Sequence, residues 1–191
     1  MNLKRVLYSQ MALEYGPNDD IAREILIDSE TIEKRVGELG QILSNDYYNK
    51  KPVLVGVLKG SFIFLADLIR ELDPDLQAEV DFMAVSSYKG TVSSREPKIE
   101  KDLSINIDGR HVIVFEDIVD TGYSFYTLLR ILSARNPASL KTCALLSKPN
   151  AREIEVPIDY LGFEIENEWV EGYGLDTNQQ YRGLPDIWAR K

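Results

Sequence analysis

One segment limits what this chain can become more than any other: Val112-Ile113-Val114-Phe115-Glu116-Asp117-Ile118-Val119-Asp120-Thr121-Gly122-Tyr123-Ser124. Four bulky apolar residues run into three carboxylates and a Thr-Gly turn. Phe125, Leu128, Leu129 and Leu132 then follow at helical spacing. A continuous β-branched run reads as a strand covered on both faces, which places it in a parallel sheet with helices on either side. The expected loop, residues 116–124, opens at a carboxyl end of that sheet, where ligands of such sheets bind.

The rest of the chain repeats the pattern. Residues 53–58 form a second apolar run, followed by Lys59-Gly60-Ser61 and a helix stripe of Leu65, Leu68, Ile69 and Leu72. Ahead of it, Ile32, Val36, Leu39 and Leu43 mark a helix that Asp28 or Ser29 can cap. Residues 79–86, 140–146 and 160–165 read as further strands, the second closed by Lys148-Pro149. Strands alternating with helices predict an α/β fold, a mostly parallel twisted sheet flanked by helices. Residues 87–101 are polar with Gly90, Ser93, Ser94 and Pro97, and a loop of that length is functional or mobile. Residues 172–182 read as a second loop. Residues 1–22, with the breaker cluster Gly16-Pro17-Asn18-Asp19-Asp20, read as an extension.

Charge and rare residues remove several functions. With 22 basic against 31 acidic residues among 191, the net charge is −9. Such a surface disfavours nucleic acid but leaves room for a small phosphorylated substrate in a locally positive pocket. Cys143 is the single cysteine and His111 the single histidine, so an intrachain disulfide, a zinc site and Cys-His catalysis are all set aside. Cys143, in an apolar run, reads as a buried structural thiol, and His111 as a strand-end or surface residue. The basic residues near the start precede no apolar stretch, and no run reaches membrane-spanning length. The expectation is a soluble cytoplasmic protein without a membrane partner.

The acidic loop carries its own chemistry. Thr121, Gly122, Tyr123 and Ser124 offer backbone N–H groups and hydroxyls at a helix N-terminus, where an anion is favoured. Gly122 permits a turn closed to other residues. Carboxylates just upstream repel a bare phosphate but suit sugar hydroxyls or magnesium. Together these imply a ligand with both a phosphate and a polyol, such as a ribose phosphate. The competing reading is a helix capped by Asp120, with Glu116 and Asp117 merely solvated.

Glu116-Asp117-Ile118-Val119-Asp120-Thr121-Gly122 resembles the ribose-pyrophosphate motif of type I phosphoribosyltransferases. Leu58-Lys59-Gly60-Ser61, Ser87-Tyr88, Lys148-Pro149 and residues 170–182 fall in the order of the hypoxanthine-guanine branch, so the resemblance spans roughly residues 23–187. It implies the type I phosphoribosyltransferase fold with a mobile flap (about 87–101) and a small C-terminal/N-terminal hood, its base-binding part about 148–191, within a domain of residues 23–191. It also implies purine salvage: transfer of the phosphoribosyl group from phosphoribosyl pyrophosphate to hypoxanthine or guanine, and possible use of xanthine, with Mg2+.

The resemblance further implies roles for residues. Glu116 and Asp117 bind the ribose hydroxyls, and with Asp176 they hold magnesium. Asp120 is the general acid/base near purine N7. Thr121, Gly122, Tyr123 and Ser124 cradle the 5′-phosphate. Lys59, preceded in relatives by a non-proline cis peptide, serves the pyrophosphate with Gly60 and Arg182. Arg152 lies near the base pocket or the pyrophosphate. Ser87 and Tyr88 sit on the flap. Lys148 donates to the purine 6-oxo group, Trp169 stacks on the base, Val170 offers backbone groups to its edge, and Asp176 lies near the 2-position.

Three positions depart from the pattern. Trp169 stands where relatives usually carry Phe or Tyr, Ser147 where bacterial relatives often carry Asp, and Tyr123 at a variable position. A homodimer or homotetramer formed through the helix after Lys59 is also implied. Two alternatives compete: an enzyme for adenine or a pyrimidine, and a ribose-pyrophosphate-sensing regulator of the same fold that binds nucleic acid.

Overall fold

The computed structural model describes residues 22–86 and 98–191. Its strands are β1 (Arg23–Ile27), β2 (Val53–Leu58), β3 (Glu79–Ser86), β4 (Lys98–Lys101), β5 (His111–Val119), β6 (Ser139–Ser147), β7 (Tyr160–Glu164), β8 (Trp169–Glu171) and β9 (Ile187–Arg190). Its α-helices are α1 (Ser29–Asp46), α2 (Phe62–Glu71) and α3 (Tyr123–Ser133). The large sheet runs β4-β3-β2-β5-β6-β7. All its neighbours pair in parallel except β4, which is antiparallel to β3.

Alternation along the central strands sorts the core into two layers, because successive side chains of a strand point to opposite faces. Leu54, Ile113 and Phe115 join Ile32, Val36, Leu39 and Leu43 of α1 and Phe64, Leu65 and Leu68 of α2. Val53, Val55, Val112 and Val114 join Phe125, Leu128, Leu129 and Leu132 of α3. Both faces of β2 and β5 are therefore dry, as their unbroken apolar runs require. Asp28 caps α1, its carboxylate accepting the Thr31 N–H at 2.8 Å.

The second sheet, β1-β9-β8, is antiparallel and joins the two ends of the described chain. A buried ion pair, Arg23 to Glu171, crosses it. The backbone N–H of Ser29 donates to Asp186 at 2.8 Å and ties this sheet to the start of α1.

Several expectations change. The segment expected as a loop from Glu116 stays in the sheet until Val119, because Ile118 and Val119 pair with Leu146 and Ser147. Ile69 is exposed, since the buried face of α2 is Phe64, Leu65 and Leu68. The base-binding hood expected over 148–191 is shorter, because β7 belongs to the large sheet; the small sheet joins β8 and β9 to the N-terminal β1, consistent with a C-terminal/N-terminal hood. Within the expected flap, residues 98–101 form β4. Residues 87–97, including Ser87 and Tyr88, lie outside the described residues, as do residues 1–21.

Candidate active site

β5 and β6 end side by side, and both ends carry chemistry. The backbone N–H of Lys148 donates to the Val119 carbonyl at 3.0 Å, locking the two strand ends together. The residue that follows β5 is Asp120, which is exposed. The Lys148 ammonium is buried and lies 3.5 Å from Asp120 Oδ2. An ammonium carries three donors, so most of its capacity stays open to a ligand. These two residues line a cleft of about 180 Å³ with Asp117, Ile118, Trp169, Val170, Leu175 and Asp176.

Arg152 fastens this corner from behind. Its Nη2 donates to the Val119 carbonyl at 3.1 Å and to Ser147 Oγ at 2.8 Å, the residues just before Asp120 and Lys148. Its Nη1 is buried without a hydrogen-bond partner among the described residues. Ser147, at the position noted above as commonly Asp, thus gives the guanidinium a neutral acceptor rather than a charged one.

The turn after Asp120 is shaped by Gly122, which has φ +92° and stands at the N-cap position of α3. The alternative in which Asp120 caps the helix is not realised, and no side-chain hydrogen bond caps α3. A Cβ on Gly122 would strike the Ile154 carbonyl, so a side chain is excluded here by space as well as by backbone angle. The Thr121 carbonyl accepts the N–H groups of Glu153 and Ile154, both at 3.0 Å. The turn is thus held by the segment that follows Arg152.

Glu116 and Asp117 are consecutive residues of β5, and their carboxyl groups feel each other electrostatically. Burial pushes the Glu116 carboxyl well above the usual range, and the neighbouring Asp117 adds to the rise. Burial raises Asp117 too, opposed by the Glu116 carboxyl, by its bond to the Ile118 N–H and by the charge of Arg182.

The loop after β2 meets this pair directly. The Leu58–Lys59 peptide is cis, as the resemblance implied. Gly60 lies so close to Asp117 that a Cβ would overlap its carboxylate. Lys59 Nζ donates to Gln179 Oε1 at 3.1 Å. Arg182 donates to the same oxygen at 3.2 Å and to the Gly174 carbonyl at 2.7 Å, and pairs with Asp176 at 2.6 Å. Asp176 Oδ2 accepts the Gln179 N–H at 2.7 Å, so both its oxygens are engaged. Among the described residues, no three His, Cys, Asp or Glu side chains gather as a ready metal cage.

Trp169 opens β8 and is 58% exposed, with its indole N–H donating to Thr177 Oγ1 at 2.7 Å. Val170, beside it, is buried on an edge strand whose other neighbour is absent among the described strands. Sequence reasoning missed Gln179 and Thr177, polar residues in a polar loop with no pattern to distinguish them. It also passed over Leu175, the lone aliphatic side chain in residues 172–182, which was a readable sign of burial.

The family model of the phosphoribosyl transferase domain matches residues 23–178. The chain belongs to this family. A hypoxanthine-guanine-xanthine phosphoribosyltransferase of Tritrichomonas foetus is 46% identical over 174 residues, 91% of this chain and 93% of that protein. A hypoxanthine phosphoribosyltransferase of Escherichia coli strain K12 is 46% identical over 167 residues, covering 86% and 93%. The crystal structure of a hypoxanthine phosphoribosyltransferase from Staphylococcus aureus superposes with TM-score 0.83 at 41% identity, covering 88% of this chain and 91% of that one. In this phosphoribosyltransferase, residues expected to bind donor and base thus come from five segments at one edge of the sheet: 58–60, 116–124, 147–152, 169–170 and 174–182.

Proposed function

We propose that this phosphoribosyltransferase acts in purine salvage, moving the 5-phosphoribosyl group from phosphoribosyl pyrophosphate to N9 of hypoxanthine or guanine. IMP or GMP and pyrophosphate are the products. The observation that carries the reading is the pairing of a buried lysine with an exposed aspartate beside an exposed tryptophan, in one cleft. An ammonium donates and cannot accept, so Lys148 selects a 6-oxo over a 6-amino purine. Trp169 offers the flat face on which the base stacks. Val170 meets the base edge with its backbone, and Asp176 borders the 2-position. Xanthine, named for the Tritrichomonas relative, is a third candidate base.

Donor binding falls to the other segments. Thr121, Gly122, Tyr123 and Ser124 receive the 5′-phosphate at the α3 N-terminus. Lys59, Gly60 and Arg182 receive the pyrophosphate. Glu116 and Asp117 hold the ribose hydroxyls. The same carboxyl pair fits Mg2+, since that ion binds through one or two carboxylates and completes its shell with water and substrate phosphates. When bound, Mg2+ neutralises the charge of the departing pyrophosphate. Asp176, already engaged by Arg182, is the weaker ligand of the three named from the sequence.

In the reaction the C1–O bond to pyrophosphate breaks and the C1–N9 bond forms, with positive charge on the ribose between. The proton lost from the purine ring goes to Asp120, or is held by it at N7. Lys148 fixes the base in register, and Arg152 fixes both strand ends that carry these groups. Ser87 and Tyr88 are proposed to cover the site during turnover.

Among the described residues, no helix is long and apolar enough to cross a membrane. A cytoplasmic location is proposed from the resemblance to the phosphoribosyltransferase family. Phe62 and Ile69 are exposed on α2, which supports assembly of two or four copies through that helix. The net charge of −9 offers no support for the nucleic-acid-sensing alternative.

The test is hypoxanthine turnover by Lys148→Met, which keeps most of the length of the side chain and removes every donor. A large rise in KM for hypoxanthine with KM for the donor retained supports the reading. Equal KM values for hypoxanthine in the two proteins would remove Lys148 from base recognition.

A further inference from the structure

A tryptophan is a base-stacking platform with one property that phenylalanine lacks: an N–H donor at its edge. Here that donor is engaged. Trp169 Nε1 donates to Thr177 Oγ1 at 2.7 Å, although the ring is 58% exposed. An exposed aromatic side chain ordinarily exchanges among rotamers. Thr177 is not a mobile partner, being 9% exposed and following Asp176, whose carboxylate is held by Arg182 and the Gln179 N–H. Thr177 Oγ1 also receives Arg190 Nη1 at 3.5 Å, and Arg190 is the β9 residue paired with Trp169 itself. The ring, the threonine and the strand behind them form a closed set of contacts.

From this arrangement we propose that Thr177 is a positioning residue for the base, locking the Trp169 indole in the plane that receives an oxopurine. The inference rests on the reading of Trp169 as the stacking surface. Thr177 itself touches no substrate. Its effect is to remove rotamer freedom from the platform before the base arrives, so that less freedom is lost on binding. The lock acts on base affinity and leaves the chemical step at Asp120 alone.

The experiment is a double-mutant cycle read in steady-state kinetics with hypoxanthine and guanine. Thr177→Val keeps the shape and removes the acceptor oxygen. The expected result is a KM for the base raised about two- to tenfold, the range of one neutral hydrogen bond, with kcat and the KM for phosphoribosyl pyrophosphate little changed. Thr177→Ser restores the oxygen and brings the KM back toward wild type. In a Trp169→Phe background the same Thr177→Val change leaves the KM where Trp169→Phe put it, because no N–H remains to be lost. If Thr177→Val does not fold, Thr177→Ala takes its place in the cycle.

An equal rise in both backgrounds would overturn the lock, since Thr177 would then act without the indole. No rise in the Trp169 background, while Trp169→Ala raises the KM strongly, overturns the lock and leaves the stacking reading standing. An unchanged KM for Trp169→Ala sinks the stacking reading itself.

Discussion

The ammonium of Lys148 stands 3.5 Å from the Asp120 carboxylate, at the point where β5 and β6 end together. Two strands adjacent in the sheet, 28 residues apart in sequence, thereby deliver a donor and a proton acceptor to one cleft. Asp120→Asn removes the acceptor and keeps the volume. It is expected to fold normally and lose about 10²–10⁴-fold in kcat, measured by absorbance during IMP formation. Near-full turnover would take Asp120 out of the chemistry.

Gly60 tests how closely the donor loops must meet. Its Cα faces Asp117 with no room for a methyl group. Gly60→Ala forces a carboxylate or a loop to move, at about 1–3 kcal/mol for an overpacked site. That strain should lower the melting temperature by about 2–12 °C, and the displaced Asp117 should weaken donor affinity by roughly 5- to 150-fold at 1.4 kcal/mol per factor of ten. Calorimetric titration with phosphoribosyl pyrophosphate and magnesium reads this directly, and unaltered affinity would show that the contact is not part of donor binding.

Asp81 gives a pH signature. Its carboxylate accepts N–H groups from Phe82, Ser104 and Ile105 and pairs with Lys101. Burial works to raise its pKa, but the N–H groups of Ile105, Phe82 and Ser104 and the Lys101 ammonium outweigh it, so the net shift is downward. A lowered folded-state pKa means stability present above the unfolded value of about 3.9 and lost as pH falls through the folded one. Asp81→Asn should therefore cost about 1.5–3 kcal/mol at pH 7, as for hydrogen bonds to a charged group. The gap to wild type in urea unfolding should narrow below about pH 4. A constant gap from pH 7 to pH 3 would contradict this.

Much of this architecture was legible in the sequence because burial leaves a periodic trace. Ile32, Val36, Leu39 and Leu43 are all buried on α1, and Phe125, Leu128, Leu129 and Leu132 on α3. Signals weakened where pairing is non-local. β1 and β9 meet across the length of the chain, and each is too short to announce itself. Glu116 and Asp117 read as loop because carboxylates are rare in strands, yet the ladder with β6 carries β5 past them to Val119. In the site, Lys59, Asp120 and Lys148 followed from motifs, whereas the contacts of Gln179 and Thr177 depend on a loop fold that no periodicity encodes.

Cys143 offers a check of the core. It is fully buried on β6, and burial pushes its thiol well above the ordinary range. A thiol that neither ionises nor meets solvent is inert. Ellman's reagent at pH 8 should react with none of the native protein and with one thiol per chain in guanidinium. Rapid native labelling would contradict the buried placement.

The central claim is that this site transfers phosphoribosyl groups to oxopurines, and the most direct measurement supplies phosphoribosyl pyrophosphate and magnesium with hypoxanthine, guanine, xanthine or adenine in parallel. The account predicts nucleotide from hypoxanthine, guanine or both, and none from adenine, which cannot accept the Lys148 bond at its 6-position. Turnover of adenine with hypoxanthine and guanine inert, or no turnover of any base despite donor binding, would contradict it.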